Sequence, residues 1–481
     1  MRGRDARHGG GRLLRWFPVL LVLAVLVAAA ASYRFELGSR WFGFDGADPS
    51  TDPAAVAPPE GLVLPALRSP APVATPVPDT APDTVDAASV RRALAAALDD
   101  PDLGPDVFAE VTALGADTPL FRSGTGAALP ASTTKLLTTT AALSTLGPDH
   151  TFRTSVVSAG RGRIVLVGGG DPNLSSKPDP KAYPRRADVV TLARATAARL
   201  SGQGVRTVRV GYDDSLFSGP SADPHWPASY LRDGVVAPIT ALWVDEGRPA
   251  TGTGRVDDPS ATAATVFAGA LARAGITVLG VPQPRRADPD ATRLASVESA
   301  PLSDIVEQTL SVSDNEAAEV LAHHVGIATS GRGTFAAGAS GVLRTLAELG
   351  VPTAGAEVYD GSGLSRDDRL TTETLVAVLQ VAASESHPEL RSVVTGLPVA
   401  GFTGSLELRF ADAAPQGRGR VRAKTGTLTG VSALAGIVTD LDSRPMVFVL
   451  MADRVALADT LDARDALDAL AAALGACHCG R

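Results

Sequence analysis

The spacing of hydrophobic positions divides the chain into three stretches. From Trp16 to about Ala31 they form an uncharged, mostly apolar run, preceded by Arg2, Arg4, Arg7, Arg12 and Arg15. A positive stretch ahead of such a run predicts an export signal, with Ala29 and Ala31 offering a small-x-small cleavage site. Extended through Ser32 and Tyr33, the run reaches about 18 residues, near the lower limit for a membrane helix. The segment 1–35 therefore reads either as a cleaved signal or as an anchor with its arginines held inside. Within residues 36–84 no period survives. PSTDPAAVAPPE and SPAPVATPVPDTAPD are rich in Pro, Ala, Asp and Thr, the composition of a stiff extended linker.

From Val85 the periods of a globular body begin. SVRRALAAAL has helical spacing and stops at Asp99, Asp100 and Pro101. After Pro130, Leu136, Leu137, Leu143 and Leu146 recur on one helical face, with Gly147 as a stop. FRTSVV, GRIVLVGGGDPNL and VRTVRVGYDDSLF read as strands, interleaved with the helix-like VVTLARATAARL and ATVFAGALARAGI. Near the C-terminus, Val421–Thr427, Val431–Thr439 and Met446–Met451 predict antiparallel strands joined by turns at TLTG and DLDSRP. A helix from about Ala456 to Leu474 follows.

Composition narrows the function. The 481 residues are 45% hydrophobic and 20% charged, enough for a sizeable core and several domains. A net charge of −8 argues against a nucleic-acid partner. The two cysteines, Cys477 and Cys479, exclude a disulfide framework and read as part of a frayed tail, 477–481. Only four of the 44 basic residues are lysines: Lys135, Lys177, Lys181 and Lys424. Arginine replaces lysine on a solvated surface but not where an amine must give up a proton. The remaining lysines therefore mark places to search for chemistry.

Three short motifs hold that chemistry. In PASTTKLL, Ser132 and Lys135 lie three apart at a helix start, so a hydroxyl and an amine share a face. The helix end adds unpaired N–H groups and a positive dipole end, and a neutral amine could activate the hydroxyl. Ser132 as a plain N-cap beside a surface lysine is the competing reading. In SVSDNEAAE, Ser313 and Glu316 form a capping box, while Ser313 and Asn315 could face a cleft, one relaying a proton and the other holding an amide. In VRAKTGTL, Lys424, Thr425, Gly426 and Thr427 lie on a strand. Gly426 would let a substrate backbone approach closely. Lys424 and Thr425 would face opposite sides of a regular strand.

Ser-x-x-Lys, Ser-Asp-Asn and Lys-Thr-Gly-Thr in this order are the signature of penicillin-binding proteins and serine β-lactamases. The long interval between the first two motifs implies an inserted region. Together with GGGDPNL, VVAPITALWVDEG, YDGSGLS and GRVRAKTGTLTGVSALAG, the chain from about Phe108 to Ala473 resembles peptidase family S13, the type-4 penicillin-binding proteins. The resemblance implies an α/β (α+β) transpeptidase-like fold, an antiparallel sheet flanked by helices. The catalytic domain would comprise residues 85–155 and 296–476, interrupted by an accessory region, 156–295. It implies a D-Ala-D-Ala carboxypeptidase, with endopeptidase activity as a further option, acting outside the cytoplasmic membrane on peptidoglycan stem peptides and acylated by β-lactams. No cofactor or metal is implied. Ser132 would be the nucleophile, Lys135 its base, Ser313 and Lys424 the proton path to the departing D-alanine, and Asn315 the holder of the peptide backbone. Thr425 and Thr427 would bind the terminal carboxylate, and the N–H groups of Ser132 and Thr427 would form the oxyanion hole. Asp360, Gly361, Ser362 and Gly363 would belong to a loop bordering the site, with Asp360 and Gly361 binding the substrate. Ser405, in GFTGSLELR, stands where the family pattern suggests threonine.

Other readings are weaker. GGGDP lacks the spaced glycines and lysine of a phosphate loop. The adjacent His323 and His324 face different ways on a helix and make a poor metal pair. CHC at the terminus would need further ligands to hold a metal. A serine β-lactamase would need a Glu-x-x-Leu-Asn segment for its deacylating water, and none follows Ser313. A non-catalytic wall-binding scaffold would not need Ser132, Lys135 and Lys424 together.

Overall fold

The computed structural model describes residues 84–411 and 414–480. The expected signal or anchor, and nearly all of the linker, lie outside the described residues. No helix among the described residues is long and apolar enough to cross a membrane. In chain order, helix α1 (Ala87–Leu98) leads to β1 (Asp106–Ala113), β2 (Pro119–Ser123) and α2 (Thr134–Leu146). Then come β3 (Arg153–Ser158), β4 (Arg163–Val167), α3 (Val189–Gly202), β5 (Thr207–Asp213), α4 (Pro259–Arg273), β6 (Thr277–Val278), β7 (Gln283–Pro284) and β8 (Arg293–Glu298). Four long helices follow, α5 (Leu302–Val312), α6 (Asn315–Ser330), α7 (Phe335–Glu348) and α8 (Thr372–Ala383), and then a single short one, Arg391–Thr395. The chain closes with β9 (Val421–Leu428), β10 (Val431–Thr439), β11 (Pro445–Asp453) and α9 (Thr460–Gly475).

Strands from both ends of this body share one sheet, ordered β2-β1-β11-β10-β9 and antiparallel throughout. Side chains along β11 alternate between the two faces as the pleat requires. Met446, Phe448, Leu450 and Ala452 face α1 and α9, while Val447, Val449 and Met451 face a helical layer containing α2, α6 and α8. A sheet covered on both faces explains why PMVFVLMAD is apolar almost throughout, without alternation. The strand β9 stays at an edge. That open edge borders the functional site.

The segment between α2 and α5 forms a second sheet, β6-β5-β4-β3-β8, with β7 beside β5 and helices α3 and α4 packed on it. The glycines of GGGDP lie where it meets the helical layer. A Cβ on Gly169 would fall 1.9 Å from the Arg153 carbonyl oxygen, and one on Gly170 would fall 2.4 Å from His324 Nε2. These glycines thus permit close packing, which accounts for them without phosphate. His323 and His324 are buried, bonded to the Glu319 and Gly170 carbonyl oxygens, and stacked among Phe152, Phe217 and Phe335. Desolvation pushes both rings down to about 4, so they pack as neutral groups.

The C-terminal tail corrects an expectation. Instead of fraying, it is fastened to the start of the body. Cys477 and Cys479 are disulfide-bonded, and the Cys479 carbonyl accepts a hydrogen bond from the Asp86 N–H at 2.7 Å. The N–H groups of Cys479 and Gly480 donate to Asp440 and Asp442. Sequence reasoning missed this because the tail is polar and short, while its partners lie in distant segments.

Candidate active site

A single turn, Ala131–Thr133, leads into α2. Ala131 has φ of 47°, the left-handed region that costs an L-residue roughly 1–2 kcal/mol and clusters at functional sites. This turn sets Ser132 beside the first residues of α2, where Lys135 is fully buried. Lys135 Nζ lies 2.9 Å from Ser132 Oγ, 2.7 Å from Asn315 Oδ1 and 2.7 Å from the Ser362 carbonyl oxygen. The neutral amine has two N–H donors and one lone pair. The carboxamide and carbonyl oxygens can only accept, whereas the hydroxyl can donate. The two N–H groups therefore satisfy Asn315 and Ser362, leaving the lone pair for the Ser132 proton. That arrangement can pass the Ser132 proton to Lys135.

Ser313 and Asn315 reach the same cleft from the junction of α5 and α6. Ser313 ends α5 in the left-handed conformation, φ 61°. The capping box predicted for it is not formed. Asp314 caps α6 instead, accepting from the Ala317 N–H at 2.9 Å. Glu316 turns away to Arg255 and the Ala237 N–H in the inserted region. The central residue of the motif thus fixes the turn from which its neighbours project. On β9, Lys424 Nζ lies 2.8 Å from Ser313 Oγ and 2.8 Å from the Thr425 carbonyl oxygen. All five residues predicted to act as chemical groups are linked in two short chains, Ser132–Lys135–Asn315 and Ser313–Lys424.

The rest of the third motif follows strand geometry. Thr425 points away from Lys424, and its hydroxyl meets Ser405 Oγ at 2.9 Å, so serine supplies the hydroxyl at that departing position. The Ala423 N–H donates outward to the Pro398 carbonyl oxygen at 3.0 Å. In an antiparallel ladder outward groups alternate, so the backbone N–H groups of Thr425 and Thr427 also leave the sheet edge toward the cleft. The exposed Thr427 is thereby available as an oxyanion donor. Gly426 is corrected. A Cβ there would stand 2.6 Å from the Pro130 carbonyl oxygen, so its missing side chain admits the Ser132 turn rather than a substrate.

Asp360 and Gly361 are corrected as well. Both are buried and bonded within the protein. Asp360 accepts from Trp226 Nε1 and from the N–H groups of Gly363 and Ser365. The Gly361 carbonyl accepts from the Thr138 hydroxyl, while Glu319 Oε2 and Oε1 take the N–H groups of Gly361 and Ser362 at 2.9 Å each. The loop does not present these two groups to a ligand. It aims the Ser362 carbonyl at Lys135. Glu319, which the sequence reading missed, had one signal: an acid one helical turn beyond Asn315 in the otherwise apolar AAEVLA, where solvation alone would not place it.

Burial sets the charge states. It pushes the Lys135 amine down to about 8, against the pull of Asp360, Glu319, Asp314 and Glu316. Burial lowers Lys424 well below the ordinary lysine range, with the Lys135 charge acting in the same direction. Desolvation raises Asp314 to about 7 and Glu319 well above the usual carboxylate range.

Comparisons with known proteins give the chain's relatives. A family model described as the D-Ala-D-Ala carboxypeptidase 3 (S13) family matches residues 90–254 and 248–474. The carboxypeptidase DacB of Mycolicibacterium smegmatis is 36% identical over 476 residues, covering 95% of this chain and 96% of its own length. The carboxypeptidase Rv3627c of Mycobacterium tuberculosis is 38% identical, covering 84% and 87%. Among solved structures, penicillin binding protein 4 (dacB) from Haemophilus influenzae superposes with a TM-score of 0.63 at 20% identity, over 80% of this chain and 98% of the other.

Proposed function

The chain belongs to the D-Ala-D-Ala carboxypeptidase 3 (S13) family and is a serine carboxypeptidase; from that premise we propose that it releases the terminal D-alanine of peptidoglycan stem peptides through an acyl-enzyme on Ser132. The contact geometry of Lys135 carries this reading, because its lone pair is left for the Ser132 hydroxyl. Ser132 Oγ attacks the carbonyl carbon between the two D-alanines as its proton passes to Lys135. The oxyanion is held by the N–H groups of Ser132 and Thr427. Collapse breaks the peptide bond, and the departing amine takes a proton from Ser313, which is replaced, with Lys424 assisting, by the proton that Lys135 took from Ser132, so that Lys135 is neutral again. Water, deprotonated through Lys135, attacks the acyl carbon and frees Ser132. Asn315 holds the peptide backbone, and Thr425 and Thr427 favour the terminal carboxylate.

β-Lactams would acylate Ser132 in the same way. Cleavage of cross-bridges, attachment to the membrane by residues 1–35, and an accessory role for 156–295 complete the proposal. Incubating the protein with a stem pentapeptide tests its centre. Release of D-alanine by the wild type and none by Ser132→Ala is expected; equal release by both would remove the assignment. Labelled penicillin should form a long-lived adduct on the peptide containing Ser132, whereas rapid turnover of the drug would favour a β-lactamase.

A further inference from the structure

Between the inserted region and the Ser313–Asn315 turn lies a polar cavity of about 440 Å³, lined in part by Arg186, Glu246, Arg248, Arg255, Ser313 and Glu316. Most of its charged groups are already paired with one another. Arg248 binds Glu246 at 2.9 Å, and Arg186 stands 3.8 Å from the same carboxylate. The Arg255 guanidinium lies 2.6 Å from Glu316 Oε1. Their side chains are only 10% and 3% exposed. The same Oε1 takes the Ala237 N–H at 3.3 Å. Two separate loop segments of the inserted region thus converge on one carboxylate, which sits beside Asn315 in the first turn of α6.

We infer that Arg255 is a positioning residue for acylation: by holding Glu316, it fixes the turn that presents Ser313 and Asn315 and neutralises a carboxylate near Lys135. This rests on the assignment of Ser132 and Lys135 above. A buried ion pair is a weak source of stability, but one broken on one side leaves a costly unpaired charge. Here that charge would be Glu316. It belongs to the group of acids whose field favours the protonated form of Lys135, with Asp314 on the same turn, Glu319 further along α6 and Asp360 from the loop. Lys424 faces Lys135 from β9, and Glu246 and Arg248 face Asp314 and Glu316 from the inserted region. An uncompensated Glu316 would hold the Lys135 proton more tightly, so a higher pH would be needed to free the amine.

The test is the rate of acylation by a fluorescent penicillin, measured against pH in the full chain. Arg255→Met should acylate about tenfold or more slowly at neutral pH, with its acidic limb moved to higher pH. Arg255→Lys, which keeps the charge, should stay within about threefold of wild type. Combining Arg255→Met with Glu316→Gln removes both charges and should return the limb to its wild-type position; this pair also serves if Arg255→Met alone does not fold. A wild-type rate in Arg255→Met, or a slower rate with an unmoved limb, would overturn the inference. So would a double variant whose limb remains displaced. Ser132→Ala run in parallel separates the two levels: labelling that persists there defeats the nucleophile assignment, whatever Arg255 does.

Discussion

At the scale of the residue, the site works by taking a lysine out of water. Lys135, lowered to about 8 by burial, is mostly protonated at neutral pH. Below that value, the fraction of neutral amine rises about tenfold per pH unit. The rate of Ser132 acylation should therefore climb with pH and level off near 8, which stopped-flow labelling with penicillin would show. Lys135→Arg should lose at least the 10²–10⁴-fold typical of a general base, because a guanidinium stays protonated. A rate within tenfold of wild type would exclude the base role. These residues were legible because lysine is scarce in this chain, and two of its four stand in motifs. Glu319 was not, and Ser362 was legible only as a member of the YDGSGLS loop bordering the site, not as a partner of Lys135. Ser362 acts through its backbone carbonyl, which carries no side-chain signature, and reaches Lys135 across 227 positions. Asp360 misled for the opposite reason: an acid in a glycine-rich turn looks like a ligand until its oxygens are found bonded to Trp226, Gly363 and Ser365.

Elements bring these residues together by close backbone approach and by capping. The edge strand β9 can lie against the Ser132 turn only because Gly426 has no Cβ, with the Pro130 oxygen 2.6 Å from where one would stand. Gly426→Ala should push the two apart, reducing acylation at least tenfold; a thermal melt would check that the fold survives. Unchanged acylation would mean that the contact yields without disturbing the site. Asp314→Ala removes an N-cap worth about 0.5–2 kcal/mol and frees the turn between Ser313 and Asn315. Its penicillin labelling should fall more than its melting temperature suggests, with Asp314→Asn retaining most of both, since Asn caps as well as Asp. Wild-type labelling in Asp314→Ala would refute a positioning role for the cap. The sequence located the strands β9, β10 and β11 to within a few residues, since their burial leaves a long apolar pattern. It put the cap one residue early. Ser313 and Glu316 match the capping-box spacing, but a left-handed φ at Ser313 breaks the chain direction there, and only the next side chain can reach back to α6.

For the whole molecule, the two ends of the body meet in one place. β1 pairs with β11, Val85 bridges to Gly480, and the Asp86 N–H bonds to Cys479. The interval between motifs made a second folded region legible, because strand-like pieces filled it. The joining of the ends was not legible, since β1 and the tail carry no shared pattern. What holds the joint can be argued from loop length. A disulfide between residues two apart closes a very small loop, so its restriction of the unfolded chain is worth under about 2 kcal/mol. The tail's N–H and C=O groups, by contrast, satisfy Asp86, Asp440 and Asp442 together, and losing all three contacts leaves buried polar groups unmatched. Replacing both cysteines by serine should therefore lower the melting temperature by no more than a few degrees. Deleting residues 477–481 should lower it further. Neither change should alter penicillin acylation at 25 °C, because the tail docks on the turn between β10 and β11, at Asp440 and Asp442, while the site opens on the β9 edge at Lys424–Thr427. Calorimetry of the two variants decides the point: equal losses would assign the stabilisation to the disulfide, and a larger loss on truncation would assign it to the backbone contacts that close the body on itself.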